Sequence, residues 1–276
     1  MSTAEFSRAW QAGRWDRLDC GVDGLALAVD DDGVAVLTID RPAKRNAITL
    51  AMWAALPGLL AGPASDPRVR VLLLAGTGDT FSAGADIGEL LEVYATPERA
   101  DAYHDTNVAA EEALAAYPRP TIAVIHGAAV GGGCQLAVAC DVRIAASGAR
   151  LGLPPAKLGV VYPAVPTARL VRLVGPARAK YLLYSAELVD AARAVTFGLV
   201  DEVVPDGELA ERALALARTI ASRSPQTLGA VKDVVDAVAA GEDPQVAIEP
   251  WERASRYAPD VREGLAAFVE RRPPVF

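Results

Sequence analysis

The sequence predicts an α/β protein, and three observations carry that expectation. Short, wholly apolar runs recur, as in VRVLLLAG (Val69 to Gly76) and RPTIAVIHG. Glycine-rich turns follow such runs and lead into helix-like apolar patterns, as in AAVGGGCQLAVACD. After Pro205 strand-like runs stop and helical patterns bounded by proline take over. Apolar strands alternating with helix starts imply strands covered on both faces.

The elements can be read in order. Residues 1–24 are irregular, with Trp10 and Trp15 as their large anchors, and read as an N-terminal extension of the main body. LALAVDDDGVAVLTI (Leu25 to Ile39) sets two apolar runs around Asp-Asp-Gly, the pattern of a hairpin. The polar turn DRPAKRNAIT leads into an amphipathic helix around residues 50–60. The strand VRVLLLAG is followed by the loop TGDTFSAGADIGEL; the strand RPTIAVIHG is followed by the glycine turn and its helix. VRIAAS (Val142 to Ser147) is a further strand, leading into GARLGLPPAKLGVVYP. Beyond residue 205, helical patterns fall near 207–223, 225–240 and 244–257. No internal repeat or low-complexity tract is visible.

The 276 residues are 52% hydrophobic, enough for a sizeable core in one or two domains. No uninterrupted apolar stretch reaches the length of a membrane span and the first 20 residues lack a secretion signal, so a cytoplasmic protein is expected. The net charge of −8, without a Lys/Arg block, disfavours nucleic acid as a partner. Cys20, Cys134 and Cys140 have no paired ligand spacing, so neither a disulfide nor a metal site is expected.

Two glycine corners, FSAGAD (Phe81 to Asp86) and VGGGC (Val130 to Cys134), each follow an apolar strand. Backbone N–H groups at a helix start lack intrahelical partners and lie at the positive end of its dipole. Two such corners can therefore supply two donors to one oxygen, the construction of an oxyanion hole. A single glycine corner reads first as a tight turn that permits close packing, and it is the pairing of two corners that favours a ligand role. Neither corner carries a Walker-type Gly-Lys-Ser/Thr or G-x-G-x-x-G spacing, which disfavours nucleotide phosphate binding.

These residues resemble the crotonase, or enoyl-CoA hydratase/isomerase, superfamily, from about residue 25 to 276. DRPAKRNAIT is similar to the family's early strand-turn segment, FSAGADIGEL to its first oxyanion loop and HGAAVGGGCQLAVACDVRIAA to its second. PPAKLGVVYP, LVGPARAKYLLYSAELVDAARAVTFGLVDEVVP and EGLAAFVERRPP follow in the family's order. The resemblance implies a crotonase-like spiral of β-β-α turns over residues 25–205, binding acyl-CoA. It further implies a C-terminal helical trimerisation region over 206–276, a homotrimer or homohexamer, and a CoA thioester as ligand, with no cofactor beyond the coenzyme A moiety of the substrate. By position, the N–H groups of Ala85 and Gly132 would bind the thioester oxygen. Ala83, Asp86 and Ile87 would lie near adenine and pantetheine, and Lys44 or Arg45, with Arg271 of the tail, near the coenzyme phosphates.

The sequence departs from the family's hydratases at both acid-base positions, because their two glutamates fall on Gln135 and Pro155. Glutamine positions a water without accepting its proton, and proline does neither; each lost acid-base group forfeits about 10²–10⁴-fold. Two-glutamate hydration is therefore not expected. KLGVVYP resembles the same stretch of methylmalonyl-CoA decarboxylases, in which a tyrosine orients the substrate carboxylate. The resemblance thus implies that Tyr162 orients a substrate carboxylate, with a ring buried in a turn as its other reading. Those decarboxylases carry a histidine where this chain has Ala85 and keep a glutamate at the position of Gln135.

Three readings stay open: an enolate-stabilising acyl-CoA enzyme, a decarboxylase of a malonyl- or methylmalonyl-type CoA thioester using Tyr162, and a non-catalytic acyl-CoA-binding subunit. Glu89, Glu92 and Glu98 read as a solvated helix face, and His104 as exposed. His126 and Asp141 read as structural. The two histidines give no Ser-His-Asp arrangement.

Overall fold

The computed structural model describes residues 15–276. Trp10 and the rest of the extension up to residue 14 lie outside the described residues. The expectation of an irregular stretch is corrected at Trp15–Leu18, which forms strand β1, antiparallel to β2 (Leu25–Asp30). Its side chains are mostly exposed, so no apolar alternation marks this edge strand in the sequence. The Asp-Asp-Gly hairpin is present: β2 turns into β3 (Val34–Ile39), and Asp30 Oδ1 pins the turn by accepting from the N–H groups of Asp32 and Val34. Helix α1 (Leu50–Ser65) begins at Thr49, whose hydroxyl accepts from Met52 N at 3.2 Å and caps its first turn.

Next come β4 (Val71–Gly76), α2 (Ile87–Val93), α3 (Pro97–Ala115) and β5 (Thr121–Ile125). The chain continues through β6 (Ala128–Val130), α4 (Gly132–Ala139), β7 (Val142–Ala146), β8 (Arg150–Gly152) and α5 (Pro155–Leu158). Helices α6 (Ala164–Val174) and α7 (Pro176–Ser185), strand β9 (Val189–Asp190), helix α8 (Ala191–Phe197) and strand β10 (Glu202–Val204) complete the body.

The strands form a seven-stranded sheet in the order β1-β2-β3-β4-β5-β7-β10 and a three-stranded sheet in the order β6-β8-β9. From β3 to β10 every neighbour in the larger sheet is parallel. Successive turns of chain give one strand to each sheet and then a helix, as in β5-β6-α4 and β7-β8-α5. The β-β-α repeat expected of the body is thus realised in three dimensions without a repeat in the sequence.

Parallel strands need cover on both faces, and here the pleat divides the core in two. Leu72 and Leu74 of β4 face one apolar cluster with Trp53, Leu56 and Leu60 of α1, while Val71, Leu73 and Ala75 face another. The leucines of β4 are 0 to 1% exposed, and each contributes roughly 1.5–3 kcal/mol by leaving water.

That second cluster is completed by Leu209, Ala210, Ala213, Leu214 and Ala217 of helix α9 (Leu209–Ala221). The expected boundary after residue 205 is corrected accordingly. Helix α9 is half of the core's cover, and the appendage starts at α10 (Pro225–Ala240), with α11 (Pro244–Ser255) and α12 (Pro259–Glu270). Lys232 of α10 is ion-paired to Asp141 and ties the appendage to the body.

Candidate active site

The first corner follows β4 and is built by a dense backbone network. Phe81 N and Ser82 N donate to the carbonyls of His126 and Ala128, both at 2.9 Å, and Val130 N returns a bond to Ser82 O. The buried Ser82 hydroxyl donates to Asn46 O at 2.7 Å and accepts from Gly84 N. Ala83 N donates to Arg45 O, and Asp86 N donates to Ile48 O. Asn46, buried at φ 55, donates to Thr77 O and accepts from Arg41 N. Sequence reasoning missed Asn46 and Ser82, which staple DRPAKRNAIT to this loop. Among the described residues every N–H from Phe81 to Asp86 has its acceptor except that of Ala85.

The second corner starts α4. Gly131 takes φ 55 and ψ −124, a conformation open to glycine, and donates its N–H to Gly152 O at 2.9 Å. Gly132 N, at the first helical position, has no acceptor among the described residues. The two corners touch: a Cβ on Gly84 would stand 2.6 Å from Val130 O and 3.2 Å from Gly132 N. A Cβ on Gly132 would meet the Trp53 ring at 2.7 Å and lie 3.9 Å from Ala85 N. Glycine at 84 and 132 is therefore what brings two unpaired N–H groups together. Such a pair, one member at a helix start, suits a partial negative charge.

The other expected ligand residues divide. Ala83 is held by its bond to Arg45 O, and Lys44 and Arg45 project as exposed cations beside that corner. Ile87 is 56% exposed. Asp86 does structural work: it caps α2 through Gly88 N and pairs with Arg41 at 2.9 Å, which with the capping bond holds its carboxyl below the usual carboxylate range. Arg271 does not join them. It ends α12, and the chain terminus beyond it meets Arg70 through Phe276 O at 3.2 Å, at the opposite end of β4 from the corners.

Gln135 and Tyr162 do come together, lining one small cavity with Leu153, Pro166, Thr167 and Leu170. The Tyr162 hydroxyl reaches the second corner, 3.4 Å from where a Gly131 Cβ would stand. Burial, with smaller contributions from the nearby Cys134 and Glu111, pushes its phenol above the ordinary value, so it keeps its proton. Pro155 is buried at the first position of α5 and brings no acid or base.

The carboxyl that sequence reasoning missed is Glu111 of α3, only 2% exposed. Burial pushes it up to about 8, against the opposing pull of Arg169, whose Nη1 lies 3.7 Å away. The one available signal was its place on α3 one and two turns beyond Asn107 and Tyr103. A larger, more open hollow along β1 and β2, lined by Trp15, Leu18 and Cys20, contains none of these groups.

The remaining candidates are accounted for locally. Glu89 accepts from Leu50 N at 2.7 Å, and Glu92 and Glu98 are exposed. The expectation that His104 is exposed is corrected: it is half-buried, with Nε2 2.8 Å from the Tyr94 hydroxyl. His126 is fully buried, its Nε2 3.0 Å from Gly78 O, and burial lowers it to about 4. Asp141 accepts from Thr121 N at 2.8 Å besides pairing with Lys232. Burial pushes the thiols of Cys134 and Cys140 up to about 12. Among the described residues no helix is long and apolar enough to cross a membrane.

Comparison with known proteins fits this geometry. The family model for enoyl-CoA hydratase/isomerase matches residues 30–276. The 2,3-dehydroadipyl-CoA hydratase of Escherichia coli (strain K12) is 36% identical over 250 residues, covering 88% of this chain and 94% of its own. The crotonyl-CoA hydratase of Syntrophomonas wolfei is 35% identical over 245 residues, with 88% and 94% covered. The crystal structure of an enoyl-CoA hydratase/carnithine racemase from Magnetospirillum magneticum matches with a TM-score of 0.88 at 33% identity, covering 92% of this chain and 96% of that one.

Proposed function

The chain belongs to the enoyl-CoA hydratase/isomerase family and acts on CoA thioesters; from that premise we propose that its reaction passes through a thioester enolate held by Ala85 N–H and Gly132 N–H, without two-glutamate activation of water. The observation that carries this is the pair of N–H groups without acceptors among the described residues, in touching corners; the resemblance assigns the two glutamate positions to Gln135 and Pro155. Negative charge grows on the thioester oxygen as the enolate forms, so donors aimed there stabilise the transition state more than the bound substrate. Gln135 orients a group by hydrogen bonding, and its neutrality spares an anionic substrate repulsion.

Lys44 and Arg45, exposed beside the first corner, are the cations proposed for the coenzyme phosphates. A second copy would have to supply Arg271, since within one chain it lies away from them. The exposed Val231, Val235 and Val238 of α10 and Leu265 and Phe268 of α12 support self-association as a trimer or hexamer. A monomer in light scattering at micromolar concentration would contradict that part.

Tyr162 favours decarboxylation as the second reading. Its protonated phenol beside the second corner can hold a substrate carboxylate while the carbon–carbon bond breaks. Carbon dioxide leaves, the bonding pair stays as the enolate, and a proton adds to the α-carbon. Mass spectrometry after incubation with crotonyl-CoA and methylmalonyl-CoA together tests both readings. Loss of carbon dioxide that disappears in Tyr162→Phe supports decarboxylation. Efficient gain of water contradicts the proposed absence of a hydrating base, and two unchanged thioesters that nevertheless bind point to the non-catalytic subunit.

A further inference from the structure

Two features bound the space an acyl chain can take beyond the corners. On the α1 side the Trp53 ring is 1% exposed and stands so close that a single methyl group on Gly132 would meet it at 2.7 Å, so no chain passes between them. On the other side is the hollow shared by Gln135 and Tyr162, which runs along α4 and α6. Its polar end is the corner end. Gln135 stands one turn into α4, with its N–H bonded to Gly131 O at 2.9 Å, and the Tyr162 hydroxyl lies 3.4 Å from where a Gly131 Cβ would stand. Thr167 also lines the hollow, but its hydroxyl donates to Pro163 O at 2.9 Å. One turn beyond Gln135 and Thr167 the lining is apolar, with Val138 on α4 and Leu170 on α6. Leu153, next after β8, and Leu183 of α7 complete that end. Even counting space open to solvent, the hollow holds about 230 Å³, less than the roughly 300–1,000 Å³ of pockets that bury drug-sized ligands. Leu153 and Leu170 are each 2% exposed and belong to the main apolar cluster, so close packing behind them holds the wall in place.

We propose that this hollow is the acyl pocket and that it admits a short acyl group with an apolar end, the limit being set by Leu153, Leu170 and Leu183. This rests on the thioester reading above and names the substrate class within it. A longer chain has to displace leucines that are already packed, and overfilling a close-packed interior is unfavourable. A charged end would lie against apolar side chains that offer it no partner. Only at the corner end, beside Gln135 and Tyr162, does a polar substituent on the acyl group meet groups that can hydrogen-bond to it.

Calorimetric titration of the full chain with butyryl-CoA and decanoyl-CoA tests this. In an open apolar groove each further methylene would tighten binding about fourfold, whereas wild type should bind butyryl-CoA at least about 10-fold more tightly than decanoyl-CoA. Leu170→Ala lowers the wall and should bring that ratio to near one or invert it. Both ligands are compared on the same protein, so a general loss of stability does not move the ratio. Should Leu170→Ala not fold, Leu183→Ala, at the half-buried member of the wall, should lower the ratio in its place. Wild type that binds decanoyl-CoA as tightly as butyryl-CoA overturns the size limit alone, and a preference unmoved by these substitutions overturns its assignment to the leucines. Failure of both thioesters and of free coenzyme A to bind overturns the thioester reading beneath it as well.

Discussion

The two sides of the cavity are made differently. The corner side is backbone: Phe81 to Asp86 spend every N–H but that of Ala85 on internal acceptors, the helix start leaves that of Gly132 without one among the described residues, and glycine lets the corners touch. The acyl side is side chain, with Asn107, Glu111, Arg169 and Tyr162 contributed by two helices and a loop and several of their polar atoms left over. The corner side keeps two N–H donors for a ligand; the other side pairs Arg169 with Glu111 within the chain. Charge stabilisation is thus built into backbone that consecutive residues define, while the other side depends on side chains that helix packing brings together.

The largest effect expected is on the corner side. Gly132→Ala drives a methyl group to 2.7 Å from the Trp53 ring and displaces the donor; kcat should fall about 10²–10³-fold, as when one oxyanion donor is lost, with thioester affinity changed far less. Steady-state kinetics with titration separates the two quantities. Gln135→Glu sharpens the contrast by returning a base to the acyl side without touching the corners. Hydration of crotonyl-CoA should rise about 10²-fold, and no gain would show that the geometry around residue 135 no longer suits water addition.

Glu111→Gln tests the stability cost of that side. The native carboxyl stays protonated up to about 8, while the unfolded one ionises near 4.5, so native stability declines as pH rises between those values. Removing the ionisation should stabilise the protein by on the order of 4 kcal/mol at pH 8 and by almost nothing at pH 4, read by urea unfolding. His126, beneath the corners, runs the other way. Burial lowers it from 6.5 to about 4, so its contribution is complete above pH 6.5 and lost as pH falls through 4. Its contribution falls by roughly 3 kcal/mol over that interval while that of Glu111 rises, so the imidazole is read from the difference in pH dependence between wild type and a substitution that removes it. At the small end, Glu249→Ala removes an exposed pair with Arg253 and should change stability by less than about 0.5 kcal/mol.

The contrast also explains what the sequence made legible. Corners, strands and the Asp-Asp-Gly hairpin are written in consecutive residues, so Ala85, Gly132, β4 and β5 could be placed without a structure. Gln135 and Tyr162 were within reach through the motifs around them. Glu111 and Arg169 are 58 residues apart in chain order and meet only because α3 and α6 pack against each other. No local pattern marks such a pair. Helix α9 was misassigned to the appendage because an alanine-rich amphipathic helix reads alike whether its apolar face meets a sheet or another subunit. Arg271 was grouped with Lys44 by resemblance, whereas the single chain carries its terminus to Arg70.

The account depends most on Ala85 and Gly132 polarising a thioester carbonyl. Infrared difference spectroscopy of a carbonyl-13C-labelled acyl-CoA, bound to wild type and to Gly132→Ala, reads that directly. The account predicts a carbonyl stretch shifted to lower frequency on wild type and returned towards its solution value in the variant. A bound thioester whose carbonyl frequency is the same on both proteins as in water would contradict it.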